Sequence, residues 1–193
     1  MIRNRAICQP GSIGRRSCAI PYIEYFARHG IGDVSLRSLA AELDSSHRML
    51  IYRFGSRDGL LAAVVDAVER DQRLVLAKVL GDGRGSARAR SLRFWTEVTD
   101  AAPIYGPLFF ELSGQAMQGR SHAATLRESL IAPWLEALEK VHRDAGFSRR
   151  HAQVQARSGL ALARGLLFDL LLTGHRAGVD AAMRDYTRRT VPA

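Results

Sequence analysis

The sequence predicts an all-α protein. Three observations lead there. Apolar residues recur at three- and four-residue spacing along nearly the whole chain, and no run alternates with period two as a half-buried strand would. Gly, Pro and helix-capping Ser divide the apolar stripes into lengths typical of helices. Apolar residues make up 47% of the 193 residues, enough for a sizeable core.

The elements follow in chain order. Residues 1–12 read as a loose basic arm, and the first sixteen residues hold Arg3, Arg5, Arg15 and Arg16 with no acid. A first helix spans about 13 to 29, with Ile23 and Phe26 on one face and Gly30 as its stop. Pro21 kinks its first half or delays its start. Ser35 caps a short helix over 36–43, where Leu36, Leu39, Ala40 and Leu43 share one face. Asp44-Ser45-Ser46 is a tight turn into a second short helix over 47–54, which buries Leu50 and Phe54. Gly55 ends it, and Ser56 caps a long helix over 57–80 with Leu61, Val64, Val65, Val68, Val75, Leu76 and Val79 in one stripe.

Gly81 to Ser86 is a linker; it follows a helix and lacks the Gly-Lys-Ser/Thr of a phosphate loop. Further helices are predicted at 87–101, 104–118, 122–145, 149–173 and 180–189, with Pro133 bending or splitting the third, Ser148 capping the fourth and Gly174 ending it. The chain divides into the arm 1–12, a three-helix helix-turn-helix domain 13–56, and a helical bundle 57–193.

Lys and Arg total 28 against 19 acids, a net charge of +9, and Lys78 and Lys140 are the only lysines. Guanidinium forks suit phosphates and base edges, which directs attention to nucleic acid; an Arg-favouring genome gives the same bias without function. Cys8 and Cys18 are too few for a disulfide scaffold. The first residues lack the apolar run of a signal peptide, and the richest apolar stretch, 160–172, is interrupted by Arg164 and Asp169. A cytoplasmic protein without a membrane segment is expected. No metalloprotease, hydrolase, Walker or dinucleotide motif occurs, and the six His are scattered, so neither catalysis nor a metal site is expected.

Two short helices joined by a three- or four-residue turn make a helix-turn-helix, whose second helix enters the major groove. Its exposed leading positions are Ser45, Ser46, His47, Arg48 and Met49, with Tyr52, Arg53 and Arg57 on the adjoining surface. The motif becomes specific in full. Gly30-x-x-x-Val34-Ser35-Leu36-Arg37-x-Leu39-Ala40-x-x-Leu43, then Asp44-Ser45-Ser46-His47-Arg48-Met49-Leu50-Ile51-Tyr52-Arg53-Phe54-Gly55-Ser56-Arg57-Asp58-x-Leu60, resembles the TetR family of bacterial transcriptional regulators. The resemblance covers about residues 18–65. It implies phosphate contacts from Ser35 and Arg37, recognition-helix roles for Ser46, His47 and Met49, and Tyr52, Arg53 and Arg57 at the family's tyrosine, histidine and phosphate-contacting lysine. Four departures stand out. Asp44 replaces a turn glycine, Ser45 an inward valine, Ile51 a tyrosine that contacts phosphate, and Arg48 a glycine. Asp tolerates a left-handed backbone. Arg48 must either reach a base, guanine O6 and N7 above all, or hold the helix back from the groove. The arm arginines could enter the minor groove or stay a disordered tail.

The resemblance also implies a C-terminal region that binds a small-molecule effector and forms a homodimer on double-stranded DNA. No cofactor is implied. Phe94, Trp95, Tyr105, Phe109, Phe110, Met117, Trp134 and Phe168 are the pocket candidates, beside core packing as the alternative. His122, Arg164, Asp169 and His175 are polar groups for the pocket or the interface, with no ion pair expected between Arg164 and Asp169. The helix at 149–173 is apolar nearly all round. Ala156, Gly159, Ala163 and Leu167 make one small-residue stripe on it. The resemblance implies that this helix and the one near 125–143 form the dimer interface, with Leu130, Leu160 and Leu171 as further candidates, and a fully internal helix is the alternative. The reading is a ligand-responsive repressor on a palindromic operator. An activator, a ligand-independent regulator, and a helical interaction protein that has lost its operator stand beside it.

Overall fold

The computed structural model describes residues 21–22, 25–26, 29, 34–81 and 84–191. The arm, both cysteines, Ile23, Gly30 and most of the first predicted helix lie outside them, as does the side chain of His122. Pro21, Tyr22, Tyr25, Phe26 and His29 are helical. The remaining elements are α1 (Leu36–Glu42), α2 (His47–Phe54), α3 (Arg57–Gly81), α4 (Ala87–Met117), a 3-10 turn (Ser121–Ala123), α5 (Ala124–Ser129), α6 (Ala132–Asp144), α7 (Arg149–Thr173) and α8 (Arg176–Thr190). No strand occurs among the described residues.

The caps read from sequence at Ser35, Ser56 and Ser148 are made, and the structure adds two more at Ser46 and Ser86. Ser35, Ser46, Ser56, Ser86 and Ser148 each accept a hydrogen bond from the backbone N–H three residues on. At the α1–α2 corner, Asp44 has φ 48°. The N–H of Ser45 then reaches back to the carbonyl of Ala40 at 2.9 Å. That closes a Schellman turn in which Asp44 stands where glycine is usual. Gly55 and Gly174, both at positive φ, end α2 and α7.

Two boundaries differ from expectation, and one expected break is found. The predicted helices 87–101 and 104–118 are one helix, α4, with Pro103 and Pro107 inside it. Each proline removes one intrahelical donor. The helix continues because its buried stripe is unbroken, from Trp95, Val98 and Ala102 to Leu108, Leu112 and Ala116. Packing on both sides of the prolines outweighs the two missing bonds. The expected break of helix 122–145 is found, with Pro133 at the first turn of α6. Helix α8 begins at Arg176 rather than 180. Arg176 donates to Asp180 and to Asp100 of α4, each at 2.9 Å, and the first turn closes over the His175 ring.

Three apolar clusters organise the chain. The first joins Tyr22, Tyr25 and Phe26 with Leu36, Leu39, Leu50, the start of α3 (Leu60 to Val65), the end of α4 (Leu108, Leu112) and Leu126 and Leu130. The second packs Trp95, Ala102 and Leu170 against Val179 and Met183 of α8. The third holds Leu76, Trp134 and Leu160. Helices α6 and α7 pair along their lengths, and α3 pairs with α4.

A left-handed Asp costs less than a β-branched residue and more than glycine. Asp44→Gly is expected to raise stability by up to about 1 kcal/mol, and Asp44→Val to lower it by about 1–2 kcal/mol, in urea unfolding. Equal stability of the three chains would show that the corner is unstrained.

Candidate nucleic-acid interface and internal cavity

The polar end of the molecule is built by α1 and α2. Leu36, Leu39 and Leu50 point into the first cluster, which turns the opposite faces outward. Ser35, Arg37, Ser46, His47, Arg48, Met49, Tyr52 and Arg53 are all exposed, with Tyr52 at 83%. They form one surface over the start of α1 and the length of α2. Two of the predicted contacts also have structural tasks. Ser45 is half-buried, and its side chain hydrogen-bonds Tyr22, whose hydroxyl pKa is raised by burial. A polar residue at this inward position is thus met by a polar partner. Arg57 donates through Nε to the Val34 carbonyl at 3.0 Å, tying the start of α3 to the entry of α1. Ile51 is exposed beside Tyr52.

A cavity of about 550 Å³ lies between α3, α4, α6, α7 and α8. Phe94, Trp95, Tyr105, Phe109, Phe110 and Trp134 line it, as the sequence suggested. Two candidates do not. Met117 is 83% exposed at the end of α4, and Phe168 is 51% exposed, touching Phe110 edge-on from outside. Both follow the α-helical period away from the wall.

The expected dimer stripe also faces inward. Leu130, Ala156 and Leu160 are buried within the one chain. Gly159, Ala163 and Leu167 line the cavity, and Leu171 packs where a side chain on Gly106 of α4 would stand. The small residues of α7 therefore serve close approach inside the protomer. The outward face of α7 is a different stripe: Val154, Ser158, Ala161, Gly165, Phe168 and Leu172, all exposed. Their spacing alternates four and three residues, the seam of a helix that packs along its length against another. Nothing stands within 4 Å of where a Cβ on Gly165 would project.

Glu69 and Arg73 of α3 went unread in the sequence. Glu69 is 7% exposed and lines the cavity. It accepts from the Trp134 indole at 2.5 Å and from Arg164 of α7 at 3.4 Å. Arg164 also donates to the Leu130 carbonyl at the end of the α5 segment. Its guanidinium lies 5.1 Å from the centre of the Phe109 ring, and that of Arg73 lies 5.8 Å from Trp134. Burial pushes the Glu69 carboxyl above the usual carboxylate range, against the pull of Arg164, the indole bond and Arg73. Burial likewise lowers Arg164 and Arg73. The signal was present: Glu69 lies four residues after Val65 and seven before Leu76, on the apolar stripe itself. Arg164 and Asp169 are separate, and Asp169 accepts from Thr173 instead. His175 leads into α8, outside the cavity wall.

Residues 23–64 match the model for bacterial regulatory proteins of the tetR family. The chain is 31% identical over 172 residues to the HTH-type transcriptional regulatory protein RaaS of Mycobacterium tuberculosis, a match covering 88% of this chain and 77% of that one. Among solved structures it is similar to a TetR-family transcriptional regulator from Pectobacterium atrosepticum, with TM-score 0.68, 17% identity and 99% of each chain covered. It is also similar to the multidrug binding protein EbrR complexed with proflavin, with TM-score 0.63, 22% identity, and 92% and 99% of the chains covered.

For Glu69, burial disfavours the charged carboxylate more strongly than Arg164, the indole bond and Arg73 favour it. Arg164 serves two buried acceptors. Arg164→Leu is expected to cost about 3 kcal/mol in urea unfolding, because Glu69 and the Leu130 carbonyl lose their donor. Glu69→Gln keeps an acceptor for the indole and is expected to cost less than about 1 kcal/mol. The reverse order would mean that the carboxylate, not the guanidinium, holds the site together.

Proposed function

The chain belongs to the tetR family of bacterial regulatory proteins. It is a DNA-binding transcriptional regulator, not an enzyme. From that premise we propose that it is a cytoplasmic repressor that binds a palindromic operator as a homodimer and releases it when a small-molecule effector fills the cavity. No helix among the described residues is long and apolar enough to cross a membrane.

One observation carries the effector reading. Val64, Val65 and Leu108 belong both to the wall of the 550 Å³ cavity and to the apolar cluster that seats Leu50 of α2. A ligand that moves this wall moves what the recognition helix rests on. The predominantly apolar wall favours an organic molecule, and EbrR, with the same fold, holds proflavin. The basic arm 1–12, the helix-turn-helix domain 13–56 and the bundle 57–193 then take the roles of clamp, reader and sensor. In a dimer the two α2 helices must lie about 34–36 Å apart to reach successive major grooves. The outward stripe from Val154 to Leu172 supports the pairing.

Selection from a random DNA pool with the full chain tests operator binding. Enrichment of a palindrome with half-sites about one helical turn apart is expected; a folded dimer that enriches nothing would defeat the reading. On the selected site, Arg48→Ala is expected to relax base preference at one position by about 1–3 kcal/mol. Arg37→Ala should weaken binding on every sequence and reduce the salt slope by about one. Equal losses on all sequences from Arg48→Ala would remove its base-reading role.

Phe168→Arg, which places a charge in the middle of the outward α7 stripe, is expected to shift sedimentation from dimer to monomer. The far-UV helix signal should stay unchanged, since Phe168 is half exposed in the single chain. A dimer that survives this change must be joined elsewhere.

A further inference from the structure

The cavity is apolar in shape but not neutral. Among the described residues, its wall carries Arg73, Arg90, Lys140 and Arg164 against Glu69 and Asp144. Lys140 and Asp144 answer each other at 2.7 Å, at an exposed edge. Glu69 is answered by Arg164 and the Trp134 indole. That leaves two guanidinium groups with no carboxylate bonded to them: Arg73 and Arg90. Each has a buried nitrogen without a hydrogen-bond partner, Nη1 of Arg73 and Nε of Arg90. An unmet donor away from water is costly, and an anionic acceptor is the group that relieves it most.

We propose that the effector is an apolar molecule with a single carboxylate head, and that the head seats against Arg73 with Arg164 beside it. This rests on the reading of the cavity as the effector site and names the ligand class. A cation at the same place would face the guanidinium groups of Arg73 and Arg164, against a Glu69 carboxylate already doubly hydrogen-bonded and an Asp66 carboxylate already paired with Arg70. A neutral acceptor would meet Arg73 Nη1 only with a weaker, singly charge-assisted bond, and a purely apolar ligand would leave it unmet. The apolar tail would lie along Phe94, Phe109 and Trp134, and 550 Å³ is ample for a medium-chain or aromatic acid.

The arrangement also supplies a trigger. Arg164 joins α7 to Glu69 of α3 and to the Leu130 carbonyl. Leu130 belongs to the cluster that seats Leu50. A carboxylate competing for the Arg164 guanidinium loosens both links at once. A carboxylate competes for Arg164 most strongly, whereas an apolar ligand of the same size fills space alone.

Trp95 and Trp134 are the only tryptophans, and both line the cavity, so their fluorescence reports occupancy. Decanoate, decanol and decylamine, each below its micellar concentration, are titrated into the full chain near neutral pH. Saturable binding is expected for decanoate, at least about tenfold tighter than for decanol, with decylamine weaker still. Arg73→Met should abolish the decanoate advantage while leaving decanol unchanged, which separates loss of the head contact from misfolding. Preference for decanol or decylamine would overturn the carboxylate and leave the cavity as a ligand site. Failure of all three to bind would overturn the proposal and the effector reading of the cavity together.

Discussion

Leu50 and Leu60 expose no surface, and the cluster that encloses them is shared by both ends of the protein. Helices α1 and α2 have seven and eight residues. Helices so short are marginal in water and too small to bury a core between them. They stand because Leu36, Leu39 and Leu50 pack on Leu60 to Val65 of α3, and α3 packs on Leu108, Leu112 and Leu126 behind it. The recognition helix is thus a projection of the bundle's own core. Leu50 is the apolar residue of α2 buried in that core, and the outer face carries His47, Arg48 and Arg53 together with the exposed Met49, Ile51 and Tyr52.

The same constraint explains the corner at Asp44. The two short helices must turn sharply to bring Leu39 and Leu50 into one cluster, and the chain passes through a left-handed residue to do so. Ser45, which follows, has its hydroxyl satisfied by Tyr22. Each departure from the family pattern at this corner keeps the turn. The polar character of Ser45 is absorbed by a tyrosine hydroxyl rather than exposed to an apolar wall. Arg48 and Ile51 lie on the outer face, where they alter what is read without touching what holds the motif up.

Local signals were legible and cross-chain ones were not. Ser35, Ser56 and Ser148 marked helix starts correctly, because a cap is a contact over three residues. The helix-turn-helix was readable because its spacing and its turn chemistry agree. Pro103 and Pro107 misled, since their local cost is overruled by clusters on both flanks. Six of the eight aromatic and Met pocket candidates line the cavity, whereas Met117 and Phe168 sit on the wrong side of their helices. The small residues of α7 were read as a subunit seam, yet Gly159 and Ala163 face the cavity. Periodicity alone finds a stripe but does not say which of two stripes faces another chain. That choice depends on where α6 and α8 lie. Glu69 was hidden for a related reason: a carboxylate in the run Val-Glu-Arg-Asp looks like solvent-facing charge until its place between Val65 and Leu76 is noticed.

Glu69 and Arg164 also explain why a cavity of this size can persist. A dry apolar hollow of that volume would tend to collapse, because its walls lose dispersion contacts with nothing in return. Here the polar bridge from α3 through Arg164 to α7, and the Trp95–Asp180 hydrogen bond at 2.7 Å between α4 and α8, brace opposite walls. Braces of this kind resist closure because shortening them would break bonded geometry, and breaking one leaves a buried charge or donor unmet. The wall is therefore stiff when empty and has discrete ways to yield. A ligand that merely fits meets a braced cavity. A ligand that replaces one partner of a brace changes which helices are held together, and α3 carries that change to the cluster under Leu50.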